Sequence, residues 1–248
     1  MYELKVMTWN VHCSKGADSL RQRKIAEQIL TIDADLVLLN EYNQDSCSVT
    51  DALLREIYPF TEETLSHNDC GDIIYSKRTL SNTGRLYEKV RTKVIQPIKA
   101  TTAIRGDSAL IVGVHLTSNH YDGNAVGAEF SNDSSFLSRY KDSQEWRCFQ
   151  AHKTKEAIIN LRYPVIIMGD MNDFNCSAPL DTFKGCGLKD AWWEGGNGYG
   201  STYHNGWMRL RIDYIFYSEE LRLESIKVID TNLSDHNPLV AGFSLKKE

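Results

Sequence analysis

Three short runs, 36–39, 109–116 and 165–168, are apolar nearly throughout and lack the alternation of a strand with one wet face. Such runs are expected of strands covered on both faces, so the chain must supply layers on either side of a sheet. Ser19 and Gln22 form a capping box ahead of Ile25, Ile29 and Ile32, whose spacing of four and three predicts a helix packed on that sheet. Residues 4–10 read as a strand, 51–57 as a helix stopped by Pro59, and 72–77 as a further strand. The Val, Ile and Thr of 86–104, interleaved with charges, predict strands with one exposed face. A second helix is predicted over 139–161, with Trp146, Phe149, Ala157 and Leu161 on its packing face and Pro164 at its end. Segments 211–217 and 238–245 close the chain as strands, while 118–138 and the glycine-rich 194–206 read as loops. The first of these loops follows a core strand and is the expected seat of substrate specificity. Helices and strands mix throughout without a linker or a repeat, so residues 1–248 are read as one α/β domain.

Composition narrows the function classes. The chain is 42% hydrophobic and 25% charged, the balance of an ordinary globular protein and not of a disordered, collagenous or coiled-coil one. No apolar run approaches the roughly 18 to 20 residues needed to cross a bilayer. No leader is visible either, so a cytoplasmic monomer is the default expectation. Six cysteines are scattered, with no two separated by only two residues; they are expected as core or surface thiols and not as zinc ligands. Lys and Arg total 28 against 33 Asp and Glu, for a net charge of −5, which argues against a surface that coats duplex nucleic acid. The balance is uneven: 33–69 holds nine acids and one base, and 72–105 eight bases and two acids. The second segment could face an anionic ligand, although solvated strand faces and hairpin tips are the better explanation for any one of those charges.

Oxygen-bearing side chains collect where the apolar strands end, at Trp9-Asn10-Val11, Leu39-Asn40-Glu41, Gly169-Asp170-Met171-Asn172 and Ser234-Asp235-His236. Each segment alone reads as a turn. If they converge, Glu41, Asp170 and Asp235 crowd one pocket with carboxylates that cannot all stay ionised without a cation. Oxygen-only ligands favour Mg²⁺, with Mn²⁺ as the alternative, over Zn²⁺. A substrate for such a site would be expected to bring its own oxygens, as phosphate does.

With Thr8 before Trp9, and with Val114-His115-Leu116, Arg211-Ile212-Asp213-Tyr214-Ile215 and Asn237-Pro238 added, the ordered motifs resemble those of the endonuclease/exonuclease/phosphatase superfamily, the deoxyribonuclease I-like phosphohydrolases. The resemblance runs from about residue 4 to residue 243 and implies a four-layer α/β sandwich, two packed mixed sheets flanked by helices. It implies Glu41 as principal metal ligand, with Asn10 and Asp235 completing or flanking the site. It implies Asp170 as the group that orients or deprotonates water, Asn172 as a phosphate holder, His236 steadied by Asp213 as acid, base or electrophile, and His115 as a second imidazole. Tyr75 and Thr202 fall where relatives have groups near the phosphate. Asn40 replaces a more usual Gln, and His115 is shared more with the sphingomyelinase, inositol-phosphatase, deadenylase and deoxyribonuclease branches than with the apurinic-endonuclease branch. The other histidines, His12, His67, His120, His152 and His204, are read as surface or structural. The leading function is a metal-dependent phosphodiesterase. The alternatives are a nuclease using the basic 72–105 segment and Tyr121, Phe130, Tyr140 and Trp146 on nucleic acid, and a binding module that kept the fold without catalysis.

Overall fold

The computed structural model describes residues 2–12, 18–43, 45–64, 70–88, 95–119 and 134–246. In chain order its elements are β1 (Leu4–Asn10), α1 (Ser19–Ile32), β2 (Leu36–Tyr42), α2 (Ser48–Arg55), β3 (Phe60–Glu63), β4 (Gly71–Ser76), β5 (Ser81–Arg85), β6 (Ile98–Ile104), β7 (Asp107–His115), α3 (Ser134–Ile158), β8 (Val165–Asp170), α4 (Ala178–Lys184), β9 (Lys189–Asp190), α5 (Ala191–Gly195), β10 (Tyr203–Asn205), β11 (Met208–Leu210), β12 (Asp213–Tyr217), β13 (Leu221–Val228) and β14 (Leu239–Leu245). One six-stranded sheet has the order β13-β14-β1-β2-β4-β3, the other β5-β6-β7-β8-β12-β9, and β10 with β11 forms a separate hairpin. Each large sheet has one parallel pair near its centre, β1 with β2 and β7 with β8, and its other pairs are antiparallel.

Strand alternation sorts the apolar residues into three layers. Leu4, Val6, Leu36, Leu38, Ile74, Ile111, Ile166, Met168 and Ile215 fill the space between the sheets. Met7, Trp9, Val37, Leu39, Ile73 and Tyr75 point the other way, under Ile25 and Ile29 of α1 and Leu54 of α2. Val112, Val114, Ile167, Tyr214 and Phe216 face outward from the second sheet, against Ala151 and Ile158 of α3 and Leu180 and Phe183 of α4. The result is a four-layer α/β sandwich, and the apolar runs of the sequence are the strands covered on both faces.

Several local expectations are corrected. Helix α1 is capped by Asp18, whose carboxylate accepts from Arg21 N–H at 2.6 Å. Gln22 belongs to the buried face and accepts from Val49 N–H at the start of α2. Helix α2 begins at Ser48, not at residue 51. Of the strands predicted over 86–104, only β6 is found there among the described residues; β5 ends at Arg85, just before the stretch, and 89–94 lie outside the described residues. The proposed loop 118–138 lies mostly outside them, and α3 is already helical at Ser134. Its buried stripe is Ser143, Arg147, Gln150, Ala151, Thr154 and Ile158; Trp146, Phe149, Ala157 and Leu161 are half-buried. Cys148, Cys176 and Cys186 are free thiols, as read, but Cys47 is disulfide-bonded. Among the described residues no helix is long and apolar enough to cross a membrane.

Candidate active site

The central layer is apolar along most of its length and polar at one end. Asn10 of β1, Asn40 of β2, Asp72 of β4, His115 of β7, Asp170 of β8 and Asp213 of β12 each continue the alternation of the residues facing the other sheet, and all are buried. Register sets them level: Asn10 opposes Asn40, His115 opposes Asp170, and Asp170 opposes Asp213. Gly169 makes the approach of β7 and β8 feasible. Its φ is +141°, and a Cβ there would lie 1.9 Å from the Val114 carbonyl oxygen, so no other residue fits.

Glu41 reaches this end by leaving the alternation. The pairing of β2 with β4 shifts between Leu39 and Tyr42, and Glu41 has φ +52°, the left-handed conformation that marks a bulge re-aiming a side chain. Asn10 then bridges two carboxylates, its Nδ2 donating to Glu41 Oε1 and to Asp170 Oδ2, each at 3.0 Å. Its Oδ1 accepts from His12 N–H at 3.0 Å, which fixes the amide orientation. Asn10 therefore acts as a hydrogen-bond donor in this arrangement. Burial pushes the Glu41 carboxyl up, but the His12 imidazole at 3.1 Å, the His115 charge and Asn10 outweigh it and hold the pKa down at about 2. Asp170 Oδ1 accepts from Asn172 N–H at 2.8 Å. Burial and the Asp213 charge push the Asp170 carboxyl up to about 6, against the attraction of His236 and His115.

The chain turn after β13 delivers His236. Ser234 Oγ donates to the Asn10 carbonyl at 2.8 Å and accepts from His236 N–H, while Trp9 Nε1 donates to the His236 carbonyl at 2.8 Å. The imidazole Nδ1 lies 2.8 Å from Asp213 Oδ2, and Nε2 lies 3.8 Å from Asp170 Oδ2. Burial would lower the His236 pKa, but the Asp213 and Asp170 carboxylates hold it up at about 10, so the ring is cationic at neutral pH and Nε2 points at Asp170. The edge of Tyr203 packs on this ring, with centroids 5.0 Å apart. Across the site, His115 Nε2 is 3.9 Å from Glu41 Oε1 and Nδ1 is 3.6 Å from Asp72 Oδ1. Burial lowers its pKa, and Asp72, Asp170 and Glu41 raise it further, to about 9.

Glu41, Asp170, Asn172, Asp235 and His236 thus line one hollow, together with His12, Ser118, Asn119, Phe174, Tyr203, Leu210 and Ile212. Thr202 lies behind it: fully buried, its hydroxyl accepts from the backbone N–H groups of Ile212 and Asp213 at 3.2 and 3.0 Å. Tyr75 does not reach it. Strand alternation turns Tyr75 toward the helices, where its hydroxyl donates to Asp51 at 2.6 Å and meets the Tyr42 hydroxyl at 2.9 Å. The basic segment lies elsewhere too. Lys77 pairs with Asp33, Arg78 with Asp35 and Arg105 with Glu3, beyond the opposite end of β1, and Lys89, Arg91 and Lys93 lie outside the described residues. Of the aromatics considered for nucleic acid, Tyr121 and Phe130 lie outside the described residues, and Tyr140 and Trp146 are half-buried on α3. Three contributors were missed: His12, only two positions beyond Asn10, and Asp72 and Asn119, which no motif flagged.

The donor set fits a hard divalent cation. Glu41 is held ionised, and carboxylate and imidazole atoms of Glu41, His115 and Asp170 lie within 4.8 Å of one another, as do those of Asp170, Asp213 and His236. Asp235 lines the hollow but belongs to neither group.

The model of the endonuclease/exonuclease/phosphatase family matches residues 7–236. Among curated proteins none matches the chain in sequence. A humanized D. rerio TDP2 carrying 14 mutations is 16% identical, with a TM-score of 0.76 over 97% of this chain and 98% of that one. The 3′ phosphatase NExo from Neisseria, bound to product DNA hairpin, is 16% identical, with a TM-score of 0.73 over 97% and 99%. A family protein from Leptotrichia buccalis is 17% identical, with a TM-score of 0.68 over 98% and 100%. At such identities these likenesses show the shared fold, while the family match covers nearly the whole length. The chain belongs to the endonuclease/exonuclease/phosphatase family and is a divalent-metal-dependent hydrolase of phosphate esters.

Proposed function

We propose that the chain hydrolyses phosphodiesters with Mg²⁺ as its metal, by attack of a water aligned by Asp170. The observation that carries this reading is the position of Asp170, between the His236–Asp213 pair and Glu41 in one hollow. Glu41 and Asp235 would hold the metal, and the Asn10 amide would keep the Glu41 and Asp170 carboxylates oriented toward each other. When bound, the cation neutralises charge on the phosphate oxygens. Asp170, with its pKa raised toward neutrality, suits a base that accepts the proton of water. His236, cationic and oriented by Asp213, stabilises negative charge on the phosphoryl oxygens through Nε2–H and supplies a proton to the leaving oxygen. Asn172, whose backbone N–H is already engaged by Asp170, presents its side chain to a phosphate oxygen. Initial rates on bis(p-nitrophenyl) phosphate and p-nitrophenyl phosphate test this. Faster release from the diester, abolished by EDTA and by Glu41→Gln in folded protein, is the expected result. Full activity in excess EDTA contradicts it.

A nuclease is the second reading, favoured by solved structures of similar fold that hold DNA: the Neisseria 3′ phosphatase with a product hairpin and D. rerio TDP2 with single-strand product. Oligonucleotide binding that falls steeply with salt would support it, and flat salt dependence would count against it.

A further inference from the structure

The inner face of α3 is polar where a packing face is ordinarily apolar. Arg147 is fully buried there, and its guanidinium joins two loops: Nη1 donates to the Thr117 carbonyl at 2.8 Å and to Asn119 Oδ1 at 2.9 Å, and Nε donates to Asp173 Oδ2 at 3.1 Å. Gln150, one turn on, accepts from both the N–H and the hydroxyl of Thr117 at 2.9 Å. A buried ion pair such as Arg147–Asp173, with side chains 0% and 1% exposed, is no better a source of stability than apolar packing of the same volume. Its value here is positional, because both loops border the hollow.

Asn119 lines that hollow beside Asn172, Asp170 and His236. Because its Oδ1 accepts from Arg147, the amide cannot flip, and Nδ2 is the end turned toward the site. That nitrogen contacts the Asn172 carbonyl at 3.4 Å, a long bond that occupies at most one of its two N–H groups. Asn172 Nδ2 donates to the Leu116 carbonyl at 3.0 Å and likewise keeps a second N–H. Two neutral amide donors therefore stand side by side next to the carboxylates. Neutral donors suit a phosphate that is shared with a cation, since they add hydrogen bonds to its oxygens without competing for the metal. We propose that Asn119 is a substrate-contacting residue that donates from Nδ2 to a phosphate oxygen, and that Arg147 is the positioning residue that aims it. The proposal rests on the phosphoesterase reading of the same hollow.

The test compares Asn119→Ala, Arg147→Lys and the double variant in Mg²⁺-loaded protein. Arg147→Lys keeps a cation against Asp173, so the fold survives, but it lacks the second arm that holds Asn119. Asn119→Ala is expected to raise KM for bis(p-nitrophenyl) phosphate, and the calorimetric Kd of inorganic phosphate, about tenfold. Arg147→Lys is expected to reproduce that rise, with kcat and Mg²⁺ affinity near wild type, and the double variant to rise no further. Unchanged KM and phosphate Kd in Asn119→Ala, additive effects in the double variant, or a fall in kcat and melting temperature without a change in phosphate affinity would each overturn it. So would a wild-type protein that binds no phosphate. Phosphate binding needs no turnover, so an inactive wild type that still binds phosphate through Asn119 would refute the phosphodiesterase reading and leave this contact standing.

Discussion

Asp170 stands between two imidazole–carboxylate pairs of unequal tightness. His236 Nδ1 meets Asp213 Oδ2 at 2.8 Å, whereas His115 Nδ1 lies 3.6 Å from Asp72 Oδ1, too far for a hydrogen bond, and has no other partner among the described residues. The two carboxylates also differ in what else they hold. Asp72 Oδ1 already accepts from Asn40 Nδ2 at 2.8 Å, and Asn40 also donates to the Val114 carbonyl and accepts from Asp170 N–H. Asp72 therefore holds the Asn40 amide, which joins β2 to β7 and β8, and reaches His115 through its charge. Among the described residues Asp213 has no such second duty: its backbone is held by Thr202, and its Oδ2 orients His236. A short hydrogen bond fixes a tautomer, whereas a longer contact only biases a charge. The two pairs should accordingly respond differently to the same substitutions.

Removing the imidazoles should split the pairs most widely. His236→Asn should lower kcat about 10³-fold, within the range typical of a lost acid–base group, and His115→Asn only about tenfold, below it; equal losses would erase the distinction. The carboxylates follow. Asp213→Asn should cost about 10²-fold in kcat by leaving His236 with the wrong tautomer, and Asp72→Asn less than about tenfold, because an amide oxygen can still accept from Asn40.

Smaller effects sharpen the contrast. Thr202→Val should destabilise the fold by about 1 to 3 kcal/mol, since two buried N–H groups lose their acceptor. It should lower kcat only modestly, through Asp213. In metal-free protein, His236 is held at about 10 against an ordinary 6.5, so the folded state binds the proton more tightly. Its contribution to stability is present below pH 6.5 and is lost as pH rises through about 10. Melting temperature should therefore fall over that window, and less steeply in Asp213→Asn than in wild type. An unchanged slope would mean that Asp213 is not what holds the proton.

The strands that carry the site were legible because they are covered on both faces: each apolar run ends in the residue that the hollow uses, as at Leu39-Asn40-Glu41 and Met168-Gly169-Asp170. Tyr75 was placed by likeness to relatives, yet alternation along β4 decides against it, since Ile74 faces the other sheet and its neighbours Ile73 and Tyr75 face the helices. Asp72 was invisible for a related reason: a buried acid at a strand start looks like a solvated one until its partners from β2 and β7 are known. Strand β13 was missed because the pairing shifts between Leu223 and Ser225, which breaks the alternation a sequence would display. The packing face of α3 was misjudged because a search for apolar spacing overlooks a stripe containing Arg147, Gln150 and Thr154.

The central claim is that Glu41 and Asp235, far apart along the chain, share one cation in the hollow that Asp170 also lines. Mn²⁺ binding followed by loss of the free-ion electron paramagnetic resonance signal reads this directly, without turnover. Saturable binding to wild-type protein, weakened at least about tenfold in both Glu41→Gln and Asp235→Asn with the fold retained, is the predicted result. Binding of undiminished affinity in both variants would contradict it.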